Sequence, residues 1–392
     1  MQQFAAPGEI LRDVSRHGSG SDPPEPTTPE RTRTDGSVAH KWIGERKLLH
    51  LREWATDKVH RLPEPATSEL VIGSESSVDF QIVDPNRRVS RRHARLVCTQ
   101  DGWHIEDLGS RNGVRYDGWL PPPGPGRVQY QLLPGMEIGI GGIILVVENE
   151  TFVRLRSYLA RILGWDSARQ VGVDLAMRAV RAAFEKCAPR LEIVSPDDLV
   201  AVARQIHLRI SPPDAPFVVC GKCTRAPDDS LQLTAVKRAS AALPLAHGGT
   251  VCVRTTELPT DYRAVQQALE TSDSIQSYVC ATTVPVLPPA HRLVVPIVVP
   301  ELAARAPSDL GKIIQEYALD ACRGFGASAS MLSEREQACV VERDATSFAD
   351  IEIATRRIVA FRTFGNVHQA APHVGLSHVG LGKWLKGRGL VE

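Results

Sequence analysis

The sequence predicts a multidomain chain with an all-β sandwich first, an α/β domain in the centre and an α-helical region at the end. Three observations carry this prediction. Short β-type runs punctuated by Gly, Asp and Asn extend from about Arg46 to Glu148, which is typical of a sandwich. After Glu150, apolar strand candidates alternate with helical stretches, as in a parallel sheet with crossover helices. From about Leu302 onward the pattern is mainly helical.

The bulk composition limits the function classes. The 392 residues are 43% hydrophobic and 23% charged, which is ordinary for a soluble protein of two or three domains. The net charge of +1 predicts no general attraction to nucleic acid or membrane, so any DNA contact needs a local patch. We find no apolar run near the roughly 20 residues that span a bilayer and no signal-peptide core. Eight scattered cysteines favour a reducing cytoplasm.

The elements of the first and central regions follow from local periodicity. Glycine, proline and short polar turns separate the β-type runs, and the Pro/Gly stretch 121–126 must be an exposed loop. A helix is predicted over 171–186, because Val173, Met177 and Val180 recur at helical spacing. The predicted strands are 48–50 with 59–62 as an opening hairpin, 70–73, 94–98, 103–107, 143–147, 191–195, 216–220, 250–253, 278–281 and 293–299.

Two motifs stand among the β-type runs. The first is Ser90-Arg91-Arg92-His93-Ala94, and the second is Asp107-Leu108-Gly109-Ser110-Arg111-Asn112-Gly113. Phosphate recognition needs hydroxyl and backbone N–H donors together with fixed positive charge. The two motifs resemble those of the forkhead-associated (FHA) domain, a β-sandwich that reads phosphothreonine peptides. The resemblance covers residues 43–150, roughly a quarter of the chain.

The resemblance implies a role for each motif residue. It makes Ser90 the serine that contacts phosphate, and it makes Asn112 the residue whose amide holds the main chain of the ligand. His93 is expected to brace the loops through hydrogen bonds, and glycines permit the tight turns. The phosphopeptide-binding residues so implied are Ser90, Arg91, Ser110, Arg111 and Asn112, and the structural ones are Gly73, His93, Gly109 and Gly113.

One position departs from the family pattern. FHA domains usually carry Gly-Arg after the early strand, whereas Gly73 is followed here by Ser74. Arg87, Arg88 or Arg111 could replace the lost guanidinium; alternatively, binding is weaker or independent of phosphate. A sandwich retained only for packing or dimerisation is the structural alternative.

Residues 1–42 predict a disordered tail, because they are polar, rich in Pro, Gly, Ser and Thr, and lack apolar spacing. The tail contains Thr27-Thr28-Pro29-Glu30, followed by Thr32 and Thr34. A phosphorylated tail threonine is one candidate ligand for the FHA domain, in the same molecule or a second one. An unmodified, solvated tail is the alternative.

The central region resembles the AAA+ domain of sigma-54-dependent transcription activators. In that family a strand leads through a phosphate-binding loop into a helix ending Ala-Arg-x-Ile-His, and here the corresponding helix ends Ala203-Arg204-Gln205-Ile206-His207. Further matches follow in the same order along the chain. They are 211–219 for the second strand, 248–253 with 257–259 for the Walker B strand, 281–283 for the sensor strand and 304–310 before the lid.

At each position where that family binds or hydrolyses nucleotide, this chain has a different residue. Nucleotide binding needs a GxxxxGK[ST] loop, which this chain lacks, and Pro196-Asp197-Asp198 stands in its place. Arg254-Thr255 replaces the Walker B acidic pair that holds Mg²⁺ and water. Thr283 and Ala349 occupy the sensor positions, and the loop that engages the polymerase is missing. We therefore expect 165–300 to be a degenerate AAA+-like domain without cofactor and 301–360 a lid-like region.

Other catalytic patterns were weighed against this interpretation. A different α/β enzyme is the competing hypothesis, but the sequence has no Gly-x-Ser-x-Gly elbow and no His-Glu-x-x-His. Cys220-Gly221-Lys222-Cys223 could be half of a zinc site or a redox pair. A structural zinc site needs a second pair of ligands, which the spacing of the other Cys and His residues does not supply. We expect a buried cysteine there, no metal and no enzyme activity.

The last segment, 361–392, resembles the Fis-type helix-turn-helix that closes many sigma-54 activators. Asn366 begins one helix, Gly375-Leu376-Ser377 forms the turn, and Leu381, Trp384 and Leu385 give the second helix its apolar stripe. The second helix of such a motif enters the major groove. The DNA-binding residues so implied are Ser377, His378, Lys383, Lys386 and Arg388, whereas a helical hairpin that packs without DNA is the alternative.

Together these observations predict a transcriptional regulator that reads phosphothreonine peptides and has lost ATPase and sigma-54 contacts. Its expected partners are a phosphothreonine-containing protein, a Ser/Thr protein kinase, DNA and a second copy of itself, with no membrane. The alternative is an adaptor in a Ser/Thr kinase pathway that does not bind DNA.

Overall fold

Two five-stranded sheets form a sandwich in the first part of the chain. The computed structural model describes residues 47–63, 69–121, 129–185, 190–221, 234–272, 274–283 and 295–391. The predicted tail 1–42 and most of the predicted loop 121–126 lie outside these residues. The predicted sandwich is confirmed: one sheet has the order β2-β1-β10-β9-β7 and the other β4-β3-β5-β6-β8.

The two sheets of the sandwich each place one face in a shared core. Leu51 and Leu145 come from the first sheet, and Ile72 and Leu96 from the second; all four are fully buried in one cluster. The strands are β1 Leu48–Glu53, β2 Val59–Arg61, β3 Glu69–Gly73, β4 Phe80–Gln81, β5 Ala94–Thr99, β6 Gly102–Asp107, β7 Val114–Tyr116, β8 Gln129–Gln131, β9 Glu137–Ile140 and β10 Ile143–Asn149.

The α/β region that follows is built on a parallel sheet of six strands in the order β13-β12-β14-β15-β11-β16. Its strands are almost continuously apolar because helices cover both faces. The elements are α1 Glu150–Leu163, α2 Gln170–Phe184, β11 Leu191–Val194, α3 Val200–Ile210, β12 Phe217–Cys220, β13 Thr234–Val236, α4 Ala239–Leu245, β14 Thr250–Arg254, α5 Tyr262–Thr271, β15 Gln276–Ala281 and β16 Ile297–Val298. The strand predicted at 293–299 is shorter in the described residues.

The rest of the chain is helical, as predicted. Ser333 begins α7 with a reciprocal capping box to Glu336, and Ser347 caps α8 by accepting a hydrogen bond from Asp350 N. These helices are α6 Pro307–Gly324, α7 Glu334–Arg343, α8 Phe348–Phe364, α9 Val367–Ala370 and α10 His378–Lys386. Among the helices within the described ranges, none has the length and apolarity needed to cross a bilayer.

A buried ionic network joins the sandwich to the α/β region. Arg52 of β1 is 2% exposed, and its guanidinium contacts both carboxylate oxygens of Asp174 on α2, at 2.5 and 3.0 Å. The same guanidinium donates to Glu148 Oε1 at 2.8 Å. Burial opposes the ionisation of Glu148, but the hydrogen bond from His50 and the charge of Arg52 outweigh it and lower the pKa of Glu148. Sequence reasoning missed this network.

Candidate functional site

The two motif-bearing loops meet at one end of the sandwich. The first loop joins β4 to β5 and carries Ser90; the second joins β6 to β7 and carries Arg111 and Asn112. The backbone N–H of Arg111 donates to Ser90 Oγ at 3.1 Å, and the side-chain amide of Asn112 donates to the Arg88 carbonyl at 2.7 Å. These two hydrogen bonds hold the hydroxyl and the amide side by side.

His93 lies beneath both loops and is fully buried. Its Nδ1 accepts from Ser90 N at 3.0 Å, and its Nε2 donates to the Gly113 carbonyl at 3.2 Å. These contacts require the neutral ring with the proton on Nε2. Burial lowers the pKa of His93 despite the opposing Gly113 carbonyl and the charge of Asp107. The imidazole therefore links the two loops as an uncharged brace.

Gly73 allows the Ser90 segment to cross the end of β3 at close range. A Cβ at Gly73 would stand only 1.9 Å from the Arg91 carbonyl oxygen, so no side chain fits there. The N–H of Ser74 donates to the Ser90 carbonyl at 3.0 Å. Residue 74 therefore lies beside the serine that is expected to contact the phosphate. The second loop turns through Gly109 and Gly113 at φ of +78° and +69°.

Two aspartates hold the loops, and sequence reasoning assigned a role to neither. Asp107 accepts from Ser110 N at 2.6 Å and from the Ser110 hydroxyl at 3.0 Å, so this hydroxyl is already engaged. Asp84 accepts from the amides of Asn86 and Arg88, at 2.9 and 2.8 Å. Asp followed two or three residues later by Asn or Ser is a turn signal that could have identified both.

The rim of the site is positively charged. Arg87, Arg88, Arg91, Arg92 and Arg111 are all exposed, and Ser90 is half-buried among them. Ser74, at the position where the family carries its arginine, is exposed and uncharged. The positive charge at this end therefore comes from the two motif loops rather than from the end of β3.

The carboxyl edge of the parallel sheet is a different environment. Asp198 accepts two hydrogen bonds from the Arg254 guanidinium, at 3.1 and 2.9 Å, and Glu257 lies 3.6 Å from the same group. Asp197 accepts from Leu302 N at 3.0 Å. The three carboxylates and the arginine are the charged side chains that line a cleft of about 440 Å³.

The Cys220 motif was the remaining candidate for metal binding or redox chemistry. Cys220 is buried, and burial raises the pKa of its thiol to about 11, which makes it unreactive at neutral pH. Cys223 lies outside the described residues. Within the described parts of the chain, no three His, Cys, Asp or Glu side chains are grouped so that they could hold a metal ion.

The predicted DNA-binding residues lie on α10 or next to its ends, and α10 is preceded by the short helix α9. Ser377 caps α10 by accepting from Gly380 N at 3.0 Å, after a left-handed turn at Gly375. The His378 ring stacks on the His368 ring with 4.3 Å between the ring centroids. His378, Lys383 and Lys386 are all exposed.

Arg388 differs from the other predicted DNA-binding residues. Its guanidinium contacts both carboxylate oxygens of Asp344 and lies 4.1 Å from the ring centroid of Trp384. A contact with a DNA phosphate would have to break this internal ion pair.

Comparison with known proteins identifies the first region. The FHA domain family model matches residues 70–141, so this stretch is an FHA domain. The match ends before the α/β region begins. No curated protein matches the chain.

Several solved structures are similar to part of the chain. Mycobacterium tuberculosis EmbR, in complex with a low-affinity phosphopeptide, is 25% identical over 27% of this chain and 25% of that chain, with a TM-score of 0.23. The FHA domain of CT664 protein from Chlamydia trachomatis is 25% identical over 27% of this chain and 98% of its own, with a TM-score of 0.23. The N-terminal FHA domain of Saccharomyces cerevisiae Rad53p, solved with a phosphothreonine peptide, is 17% identical over 28% of this chain and 98% of its own, with a TM-score of 0.22.

Proposed function

We propose that the protein reads phosphothreonine peptides through its FHA domain and acts as a transcriptional regulator without ATPase activity. The observation that supports the first part is that Ser90 Oγ is bonded to Arg111 N and the Asn112 amide to the Arg88 carbonyl, which brings the two loops together among exposed arginines. A hydroxyl, backbone amides and guanidinium groups together suit a phosphate dianion. The ligand is a phosphorylated partner of a Ser/Thr protein kinase, or the chain's own tail, which lies outside the described residues.

Peptide titration tests this function directly. The full chain is titrated with a phosphothreonine peptide and with its unphosphorylated counterpart at fixed salt. We expect the phosphorylated peptide to bind at least about tenfold tighter, which corresponds to about 1.4 kcal/mol. Equal affinities would remove phosphate reading from the proposal. A peptide copy of the tail around Thr28 then distinguishes self-recognition from recognition of a partner.

The AAA+-like interpretation of the centre is supported by strand order. In AAA+ proteins the sensor strand lies between the strand of the phosphate loop and the Walker B strand. Here β15 pairs with β11 on one side and with β14 on the other, all parallel. The Arg254–Asp198 pair occupies the edge where phosphate and Mg²⁺ would sit. We therefore propose a scaffold that retains the fold and does not hydrolyse nucleotide.

Calorimetric titration with ATP and Mg²⁺ tests the loss of nucleotide binding. No heat of binding is expected up to the millimolar range, because the loop is missing and carboxylates replace its positive groups. Tight binding would instead support an enzyme in this region.

The regulatory role requires DNA binding by the C-terminal helices. The Ser377 cap, the Gly375 turn and the buried Leu381 and Leu385 support a helix-turn-helix in which α10 enters the major groove. We expect a homodimer, because one such unit buries too little surface for a specific site. A gel-shift assay on genomic fragments at low salt should show a shift that weakens in Lys383→Ala/Lys386→Ala.

Two observations favour an adaptor as the second candidate function. Arg388 is committed to Asp344, and α10 contains Gly380 and Gly382 in place of long polar side chains. If no genomic fragment shifts at low salt while phosphopeptide binding persists, the protein is an adaptor that links a kinase pathway to another protein.

A further inference from the structure

Asn112 is followed by Gly113, and this is the one Asn-Gly step in the sequence. Asparagine is a chemically labile residue, because the main-chain nitrogen of the next residue can attack its side-chain carbonyl carbon. Glycine favours this attack, since it has no Cβ to crowd the five-membered ring that results. The three other asparagines, Asn86, Asn149 and Asn366, precede Arg, Glu and Val.

The main-chain nitrogen of Gly113 is available for this attack. Within the described residues, the N–H of Gly113 donates no hydrogen bond, whereas its carbonyl accepts one from His93 Nε2 at 3.2 Å. Asn112 is exposed, so water can take up the proton that the Gly113 nitrogen loses and can later open the ring.

Asn86 lies in the other motif loop and provides an internal comparison. It is exposed, as Asn112 is. The next residue, Arg87, has a side chain, and its N–H donates to the Asp84 carbonyl at 3.0 Å. The two loops therefore contain one asparagine whose neighbour is free to attack and one whose neighbour is held by a hydrogen bond.

The charges of the loops act in the same direction. The attack places negative charge first on the Gly113 nitrogen and then on the side-chain oxygen of Asn112. Arg111 precedes Asn112 in the chain, and the Arg88 carbonyl accepts a hydrogen bond from the Asn112 amide at 2.7 Å. Both arginines are exposed. Nearby positive charge stabilises such an anion, by a modest amount because exposed charges are screened.

We propose that Asn112 is a site of spontaneous deamidation and that this modification ends phosphopeptide binding. The Gly113 nitrogen forms a bond to Asn112 Cγ, the Cγ–Nδ2 bond breaks, and the amide leaves as ammonia with the proton that the Gly113 nitrogen has lost. Water then opens the cyclic imide at either carbonyl and leaves aspartate or isoaspartate at position 112. The net reaction consumes water and releases ammonia, without an oxidant or a reductant. The effect on binding rests on the proposed phosphopeptide function, whereas the modification itself does not.

Both products remove a donor that the loop uses. The Asn112 amide donates to the Arg88 carbonyl, and a carboxylate at this position has no proton to donate. The carboxylate also adds negative charge where a phosphate dianion is expected to bind. Isoaspartate in addition lengthens the main chain next to Gly113, whose carbonyl the buried His93 holds.

Occupancy of the site should control the rate. The ring closes only when the Asn112 side chain turns to the Gly113 nitrogen and gives up its hydrogen bond to Arg88. The FHA resemblance assigns this amide to the main chain of the ligand, so a bound phosphopeptide holds the side chain away from the nitrogen. An unoccupied domain is therefore modified faster than an occupied one.

The test follows the full chain during incubation at mildly alkaline pH. Peptide mapping by mass spectrometry measures conversion at Asn112 and Asn86 in three samples: without peptide, with saturating phosphothreonine peptide, and with the same amount of its unphosphorylated counterpart. We expect Asn112 to convert several-fold faster than Asn86, and we expect only the phosphorylated peptide to slow this conversion. Affinity for the phosphothreonine peptide should fall in step with conversion.

Asn112→Asp supplies one product directly. We expect it to bind a phosphothreonine peptide at least about tenfold more weakly, because a donor is replaced by a repelling charge. Asn86→Asp, the matched control, adds the same charge at an exposed position of the other loop and should change affinity less. Thermal unfolding midpoints close to that of the unaltered protein confirm that both variants are folded.

The outcomes separate the two hypotheses. If Asn112 converts no faster than Asn86, the modification inference is wrong, and the phosphopeptide function stands or falls on its own titration. If conversion is rapid but converted protein and Asn112→Asp bind as the unaltered protein does, the modification does not control binding. If freshly prepared protein binds phosphorylated and unphosphorylated peptides alike, the proposed function itself fails, while rapid conversion at Asn112 still supports the modification.

Discussion

Two regions of this molecule invite comparison, because each brings arginines and polar loop residues to the end of a sheet. At the end of the FHA sandwich, Ser90 and Asn112 are held in place, and among the described residues the nearby arginines have almost no carboxylate partners. At the carboxyl edge of the parallel sheet, the single arginine is paired with Asp198 and accompanied by Glu257. The first region is prepared for an anion, whereas the second neutralises itself.

The difference shows that two sheet ends in one chain can treat their charges in opposite ways. At the edge of the parallel sheet, Arg254 and Asp198 neutralise each other. The sandwich loops have buried support through His93, and among the described residues most of their exposed arginines form no ion pair. Function is therefore best sought where side-chain charges lack internal partners.

Removal of the two held side chains should have the largest effect. Ser90→Ala/Asn112→Ala is expected to weaken binding of a phosphothreonine peptide on the order of a hundredfold, because a charge-assisted hydrogen bond contributes about 1.5–3 kcal/mol. Peptide titration measures the loss. The thermal unfolding midpoint, measured in parallel, should stay close to that of the unaltered protein, since both side chains are on loops. Undiminished affinity in a folded variant would place the ligand elsewhere.

Restoring the arginine of the family pattern at residue 74 should strengthen phosphopeptide binding by the sandwich. Residue 74 lies beside Ser90 and its side chain is exposed, so Ser74→Arg adds a guanidinium next to the phosphate. We expect affinity for a singly phosphorylated peptide to rise about fivefold to tenfold. Ser76→Arg adds the same charge at another exposed position nearby and should change affinity less. Equal gains would mean that net charge, rather than position, controls binding.

Removing an arginine from each region should affect the free energy of unfolding differently. Arg254→Gln leaves Asp198, Asp197 and Glu257 without a cation and should lower the free energy of unfolding by up to about 1 kcal/mol, the range for partly exposed ion pairs. Arg92→Gln removes an unpaired charge and should leave stability unchanged or slightly higher. Denaturant unfolding of both variants measures the difference. A greater loss of stability in Arg92→Gln would show that the rim arginines have a structural role.

The buried histidines of the two regions predict a pH dependence. Burial lowers the pKa of His93 in the sandwich and of His207, which contacts Thr250 in the sheet. A histidine with a lowered folded pKa stabilises the protein above its unfolded value of about 6.5 and loses that contribution as the pH falls. The free energy of unfolding of the unliganded protein should therefore decrease as the pH falls below about 6.5.

A single variant assigns this pH dependence to the sandwich. His93→Gln cannot be protonated, so its stability should fall less steeply below pH 6.5, with the share from His207 remaining. An unchanged slope would mean that His93 does not carry the effect.

Sequence reasoning succeeded where the signal was local. Short β-type runs separated by turns predicted β5 and β6, and apolar runs predicted β12, β14 and β15. The resemblance assigned the motifs of Ser90 and Asn112 to one ligand, and the structure brings the two loops together. These patterns extend over a few residues and need no knowledge of distant contacts.

The contacts that sequence reasoning missed join distant residues or use main-chain atoms. Arg52 and Asp174 are 122 positions apart, and Arg388 pairs with Asp344, which is 44 positions earlier at the end of α7. The bond from Asn112 to the Arg88 carbonyl involves a main-chain atom, so residue types alone do not indicate it. Such pairs become visible only when the chain is folded.

The ratio of affinities for a phosphothreonine peptide and its unphosphorylated counterpart tests the central claim most directly. The full chain should prefer the phosphorylated peptide by about tenfold or more, and added salt should reduce this preference because the rim is charged and exposed. Equal affinities at low salt would contradict the account, since the arginines around Ser90 would then have no phosphate to bind.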